Sequence, residues 1–129
     1  MNKILVEVSV GELLDKISIL EIKSEKIKDP EKLKFINDEY KILKDQLNTN
    51  IKNYSEIESL YNSLKEINSK LWVIEDDKRL CEKNSDFGEK FIKLSRDVHF
   101  LNDDRAKLKL EINNKTGSKI KEIKEYTKY

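Results

Sequence analysis

The chain has 129 residues, 40% of them charged, with only 3 glycines and 1 proline, and its 26 basic side chains nearly balance 25 acidic ones. A net charge of +1 excludes the strong field that steers basic proteins to nucleic acid or to an anionic membrane. This length suits one modest core, and this composition is typical of long, solvated helices. We therefore expect a single all-α domain over residues 1–129.

No apolar run approaches the ~18 residues of a membrane-spanning helix, and no secretory leader is recognisable. We therefore expect a cytoplasmic protein without a membrane partner. The single cysteine, Cys81, excludes an internal disulfide. Its place on an apolar helical stripe favours packing over chemistry.

The first segment of the chain predicts an extended arm over residues 1–8. Residues 3–8 read Lys-Ile-Leu-Val-Glu-Val and are rich in β-branched side chains, as short strands are. A lone strand is not stable. We expect the arm to pair with the tail or with a second copy of the chain.

Two helix starts follow the arm. Ser9-Val-Gly-Glu12 has the capping-box pattern, in which the hydroxyl and the carboxylate each reach a free backbone N–H, and it predicts a helix over about 10–28. Asp29-Pro30 combines an N-cap residue with proline at the first helical position. This pair predicts a second helix over about 30–48.

Two longer helices follow, and they complete an antiparallel bundle of about four helices. Ser55-Glu-Ile-Glu58 repeats the capping-box pattern and opens a third helix to about residue 83. Asp86 is a plausible cap for a fourth helix, which ends at Thr116-Gly117. The short polar connections favour antiparallel neighbours around one core. The tail, 118–129, is either a docked last turn or a frayed arm.

The predicted third and fourth helices are long for a chain of this size. At 1.5 Å per residue each measures ~40 Å. Part of their apolar stripe then extends beyond the other helices. Because a second copy could bury this overhang, a homodimer is favoured.

A charged residue interrupts the apolar stripe of the fourth helix. Arg105 occupies a position that the 3,4 spacing assigns to an apolar side chain, and Asn102 lies nearly on the same face. Because breaking a buried ion pair typically costs ~3–5 kcal/mol, this guanidinium needs a protein carboxylate or a ligand anion unless it reaches solvent. Candidate protein partners are Asn68, Glu66 and a carboxylate of the first helix.

A second face of the third helix is polar around the only tryptophan. Its members follow one another at 4, 3, 4, 3 spacing: Asn68, Trp72, Glu75, Arg79 and Glu82. One interpretation is an ion-pair ladder, with Glu75 paired to Arg79 and Trp72 at the edge of the core. The other is a pocket with Trp72 as its floor. The candidate ligand-binding residues are Asn68, Trp72, Glu75, Arg79, Asn102 and Arg105.

Other chemistry finds little support in the sequence. His99 is the only histidine, so the ligands of a zinc site are lacking. Glu12 and Asp15 are a weak signal for Mg²⁺, since Glu12 also suits the helix cap. We expect no metal and no cofactor. The lysines of the tail are partly balanced by Glu122 and Glu125, which disfavours nucleic acid as a partner.

Several motifs together resemble a family of unknown function (DUF6165) of small bacterial and phage proteins, over nearly the whole chain. The resemblance implies no established activity. It does imply a link to sugar-transfer proteins, and this link favours nucleotide sugars or sugar phosphates as the ligand, if there is one. His99 departs from the pattern, which has an aromatic residue there. The residues that carry the resemblance are Glu12–Lys23, Asn68, Leu71-Trp72, Ile74-Glu-Asp76, Arg79, Phe91-Ile92, Asn102-Asp-x-Arg-Ala106, Lys109, Ile112-Asn113, Gly117-Ser118 and Glu122–Tyr126.

The sequence favours an interaction or structural module with a polar centre between the third and fourth helices. One alternative is a binding or enzymatic domain for an anionic small molecule. Another is a Mg²⁺-dependent nucleotide phosphohydrolase, which requires a carboxylate cluster drawn from Glu12, Asp15, Glu75 and Asp76.

Overall fold

Four α-helices dominate the computed structural model, which describes residues 2–129. They are α1 (Val10–Lys26), α2 (Pro30–Asn50), α3 (Glu58–Lys83) and α4 (Glu89–Thr116), with a short 3-10 helix at Tyr54–Glu56. No strand occurs over the described range. The all-α bundle expected from the sequence is therefore confirmed.

The caps explain where most of the helices begin and end. The Ser9 hydroxyl accepts from the Glu12 N–H at 3.1 Å, and Asp29 accepts from the Glu31 N–H at 3.1 Å, with proline in the first turn of α2. Gly117 ends α4 in the left-handed conformation (φ 66°), which glycine adopts without steric cost. These termini lie close to the predicted ones.

The predicted cap of the third helix is wrong. Tyr54–Glu56 form a 3-10 turn, and Ile57 is the N-cap of α3 without a side-chain hydrogen bond. Burial of Ile57 in the core, together with its backbone bond to the Tyr54 carbonyl at 3.0 Å, accounts for this start. Asp86 is likewise not the N-cap of α4. That position belongs to Gly88, whose N–H donates to the Asp86 carboxylate at 3.2 Å.

Helix α1 is the centre of the fold and packs against all three other α-helices. Leu14 and Ile17 are completely buried. The first turn of α1 lies against α4 and its last turns lie against α3, while α2 covers another side. The main core cluster is Leu13, Leu14, Ile17, Leu47, Ile57, Tyr61, Leu64 and Ile112.

Helices α3 and α4 pack on one another and extend past this core as an overhang, residues 72–101. On α3, Cys81 is the one buried residue beyond Leu71, and on α4 the buried residues begin at Lys109. Burial of Cys81 agrees with the packing role expected for it. In the overhang the two helices therefore share an apolar seam that no third helix covers.

The two ends of the described chain lack regular structure. Residues 2–9 and 118–129 contain neither helix nor strand. The arm, defined here as residues 2–8, is exposed along its whole length, so the strand alternative for it is not realised. The tail, residues 118–129, runs back along α4 without forming a further helical turn.

Candidate functional site

A polar centre lies where α1, α3 and α4 meet, and its central group is the Asp15 carboxylate. Asp15 is 2% exposed. The Arg105 guanidinium donates two hydrogen bonds to this carboxylate, from Nε to Oδ1 at 2.9 Å and from Nη2 to Oδ2 at 2.5 Å. This forked geometry is the strongest form of an arginine–carboxylate pair. The arginine in the apolar stripe thus finds its anion on the first helix, one of the three protein partners considered from the sequence.

Helix α3 contributes the third side of the polar centre. The Asn68 amide donates to Asp15 Oδ1 at 2.9 Å and to the Ser18 hydroxyl oxygen at 2.8 Å. The Ser18 hydroxyl in turn donates to the Asp15 main-chain carbonyl at 2.7 Å. One buried carboxylate therefore ties three helices together through charged and neutral hydrogen bonds.

The surroundings of Arg105 favour its charged form. Hydrogen bonding to Asp15 raises the pKa of Arg105, and this effect outweighs burial, which acts in the opposite direction. The guanidinium therefore remains a cation at every pH at which the protein is folded.

A second ion pair lies further along α4. The Lys109 ammonium donates to Glu12 on α1 and to Glu122 in the tail, both at 2.8 Å. Burial acts to lower the pKa of Lys109, but these two hydrogen bonds outweigh it and the pKa is raised. Hydrogen bonds from Lys109 and then Lys124 lower the pKa of Glu122 from 4.5 to about 2. Because Glu12 bonds to Lys109, it does not complete the reciprocal capping box expected at Ser9.

The start of α1 touches α4 at the backbone level. The Gly11 N–H donates to Asn113 Oδ1 at 2.7 Å, and the Val10 N–H donates to the Ser118 hydroxyl at 3.3 Å. A Cβ on Gly11 would lie 2.5 Å from the Lys109 carbonyl oxygen, closer than side chains pack. Only glycine allows this approach, and it brings Glu12 and Asp15 within reach of α4.

A third polar cluster fixes the end of α1 on α3. The Tyr61 hydroxyl donates to the Glu21 carboxylate, and Lys65 contacts Glu21 at 3.2 Å and Glu25 at 3.0 Å. Burial, followed by the bond to Glu21, raises the pKa of Tyr61. This tyrosine is therefore a neutral hydrogen-bond donor and not a base.

The predicted ligand-binding residues fall into two groups in the structure. Asn68 and Arg105 both belong to the polar centre. Asn102 is exposed and reaches only the edge of the Arg105 guanidinium at 3.5 Å. Trp72 is half-buried. Glu75 and Arg79 are exposed, and the hydrogen bonds and ion pairs of residues 2–129 do not connect them to Asp15.

The polar groups of the centre are all hydrogen-bonded within the described part of the protein. Among the described residues, every buried side-chain nitrogen or oxygen has a hydrogen-bond partner. An anion that took over Arg105 would leave Asp15 buried without its cation, which is energetically costly. This argument disfavours a ligand-binding role for the centre itself.

The carboxylates required for a Mg²⁺-dependent phosphohydrolase do not form a cluster. Glu12 and Asp15 are paired with cations, and Glu75 and Asp76 are exposed on α3. Over the described part of the chain, no three His, Cys, Asp or Glu side chains lie close enough to hold a metal ion.

Sequence reasoning missed several members of these clusters. Lys109 and Asn113 are buried and bonded to α1, yet the sequence marks them only as residues of the family motifs. For Gly11 the sequence does carry a signal, which is its position in the first turn of a helix. Glycine in a helix costs about 1 kcal/mol relative to alanine, and such a glycine commonly has a packing reason. For Ser18 and Glu21 no sequence signal stands out.

Fold and site together define an all-helical bundle whose polar centre is bonded within the protein. Residues 4–129 match the model of DUF6165, a family of unknown function, and the chain belongs to this family. The resemblance seen in the motifs is thus confirmed. Neither curated proteins nor solved structures gave a match. No helix among residues 2–129 is long and apolar enough to span a membrane.

Proposed function

We propose that the protein is an interaction module that works as a homodimer. In this proposal the polar centre holds the helices of each copy together. The proposal rests on a contrast between the interior of the protein and its surface. The buried polar groups of the described chain are satisfied internally, while apolar surface on the overhang stays open to solvent. Contiguous exposed apolar surface is a common mark of protein–protein interaction sites.

The open surface is a groove between α3 and α4, with a volume of about 660 Å³. Val73 on α3 and Phe100 on α4 both line it and are 49% and 42% exposed. The polar residues at its edges are of mixed charge. The groove is lined by Glu66, Ser69, Lys70, Val73, Ile74, Asp97, Phe100 and Leu101.

A second copy of the chain is the occupant that suits this groove. The charged rim is already paired within each helix, with Lys70 to Glu66 at 3.6 Å and Lys93 to Asp97 at 2.7 Å. A strongly acidic or basic partner therefore gains little there. Two overhangs packed face to face would give a four-helix arrangement around an apolar centre, with the two-fold symmetry usual for homodimers.

Sedimentation velocity over a range of protein concentrations tests this function. We expect wild type to reach the dimer mass and Phe100→Glu to remain a monomer, because the substitution places a charge in the centre of the contact. Phe35→Glu is the matched control. Phe35 is the same residue type on α2, outside the groove, and at 72% it is more exposed than Phe100 at 42%, so this variant should dimerise as wild type does.

Two outcomes contradict the homodimer. One is a wild type that stays monomeric at the highest concentration tested. The other is a Phe100→Glu protein, folded by circular dichroism, that dimerises as strongly as wild type.

A further inference from the structure

The arm is the least covered apolar segment of the molecule. Ile4, Leu5 and Val6 are 85%, 82% and 74% exposed. Directly after the arm, the chain is fixed by the bonds of Val10 and Gly11 to Ser118 and Asn113. An exposed, β-prone apolar run tends to pair with another chain.

We infer that the arms of two copies pair as antiparallel strands about a two-fold axis at Leu5. This inference rests on the homodimer proposed above and names a second contact within it. The sequence of the arm is complementary to itself in this register. Lys3 lies opposite the partner's Glu7, and Ile4 lies opposite the partner's Val6. The two-fold axis repeats both pairs, as an isologous interface requires.

Charge selects this register over its neighbours. Opposite charges placed directly across two strands stabilise the pairing, and like charges destabilise it. A shift by one residue sets Lys3 opposite the partner's Val6 or the partner's Val8 and loses both ion pairs. Lys3 and Glu7 are the only charged residues of the arm, so no other register recovers them.

The paired arms also sort their side chains by polarity. Ile4, Val6 and Val8 point to one face of the two-stranded ribbon, which is wholly aliphatic, while Leu5 points to the other face between the charged Lys3 and Glu7. A two-stranded ribbon is marginal by itself and needs an apolar face to pack on other elements. The aliphatic face supplies that contact with the helices of the dimer.

The arm is long enough to take part in the proposed dimer. Seven extended residues span roughly 23 Å. Along α4, Asn113, near the root of the arm, and Phe100, in the groove, are separated by about 20 Å at 1.5 Å per residue. Leu5, on the axis, lies four residues before Ser9 and can reach roughly 13 Å of this distance. The proposed dimer therefore places the paired arms beside the groove contact.

Charge reversal tests the register directly. Lys3→Glu and Glu7→Lys each create two like-charge pairs in a homodimer, and we expect each to raise the dimer Kd by roughly tenfold. An equimolar mixture of the two variants should associate as wild type does, because every facing pair is again opposite in charge. The double variant should also recover the wild-type Kd, measured by sedimentation equilibrium at low salt.

Cross-linking provides a second measurement. In a Cys81→Ser background, Leu5→Cys places two thiols across the axis, where facing Cα atoms of paired strands lie ~4.5–5.5 Å apart and a disulfide fits. Lys3→Cys is the control, since its two copies would lie about 13 Å apart along the strands. We expect mild oxidation to yield a covalent dimer with Leu5→Cys and little with Lys3→Cys.

The outcomes separate the arm from the homodimer as a whole. A wild type that dimerises while both single charge variants keep its Kd overturns the arm pairing alone, and it indicates that the arm binds its own tail or nothing. Equal cross-linking at positions 3 and 5 overturns it as well. A monomeric wild type overturns both proposals.

Discussion

At the scale of single residues, the decisive feature is that a buried carboxylate and an arginine are matched without a ligand. The Asp15 side chain is 3% exposed and that of Arg105 29% exposed, so the pair is largely shielded from water. Asn68 and Ser18 bond to the same aspartate. Replacing one member therefore leaves the others with unmet hydrogen bonds.

We expect Asp15→Asn to lower the free energy of unfolding by about 3–5 kcal/mol, because it leaves the guanidinium without its counter-charge. Arg105→Met should have a comparable effect. The double variant Asp15→Leu, Arg105→Met should lose less than the two single losses combined, since no unpaired charge remains. Urea denaturation followed by circular dichroism measures all three.

The control for this cycle is Lys34→Met. Lys34 pairs with Asp38 at 3.1 Å, but both side chains are more than half exposed, so the change should cost less than about 1 kcal/mol. If Asp15→Asn costs no more than this control, the polar centre does not hold the helices together.

At the scale of elements, an ion pair attaches the tail to α4. Glu122 bonds to Lys109 at 2.8 Å and to Lys124 at 2.9 Å. Between the tail and α4 lies a cleft of about 530 Å³, bordered by Leu110, Ile123 and Tyr126 among others. The Tyr129 hydroxyl also donates to Asp103 on α4, so the ionisation of Glu122 controls one of the polar attachments of the tail.

The attachment of the tail through Glu122 should weaken in acid. The pKa of Glu122 is lowered from 4.5 to about 2 in the folded protein, so its contribution to stability is present above pH 4.5 and is lost as the pH falls toward 2. We expect Glu122→Gln to be less stable than wild type near neutral pH and equal to it near pH 2. Denaturation at a series of pH values measures this difference. A constant difference across the series contradicts the role of Glu122, and Glu125→Gln in the same tail should show none.

The predicted and observed elements show which parts of the structure follow from the sequence alone. Apolar periodicity and caps located the helices, because both are local properties of the chain. The start of α3 was missed because burial of Ile57 decided it, and burial depends on the tertiary fold. The same is true of the polar centre. Helical spacing showed Arg105 facing inward, but its partner Asp15 depends on how α1 crosses α3 and α4, which periodicity does not encode.

At the scale of the whole molecule, stability is distributed unevenly. The core surrounds α1, whereas the overhang has a single apolar seam between two helices. Local opening should therefore be easiest at the end of the α3–α4 pair in an isolated copy. Self-association through the groove would cover this weaker region.

Hydrogen exchange should reveal both the easier local opening of the overhang and its coverage in the dimer. At low protein concentration we expect amides of residues 72–101 to exchange faster than those of α1, and at high concentration we expect protection to increase in the overhang but not in α1. Mass spectrometry of peptides from both regions measures the effect, with Phe100→Glu as the concentration-independent control. Protection that rises equally in α1 would argue against a contact at the groove.

The bond between Gly11 and Asn113 has a consequence for how the protein is made. The two residues are 102 positions apart in the chain. At translation rates of 5–20 residues per second, α1 leaves the ribosome roughly 5–20 s before the end of α4. During that interval Leu14 and Ile17 lack the helices that later bury them. The nascent chain thus exposes its most apolar helix first, and chaperone binding to α1 during synthesis would be the direct result.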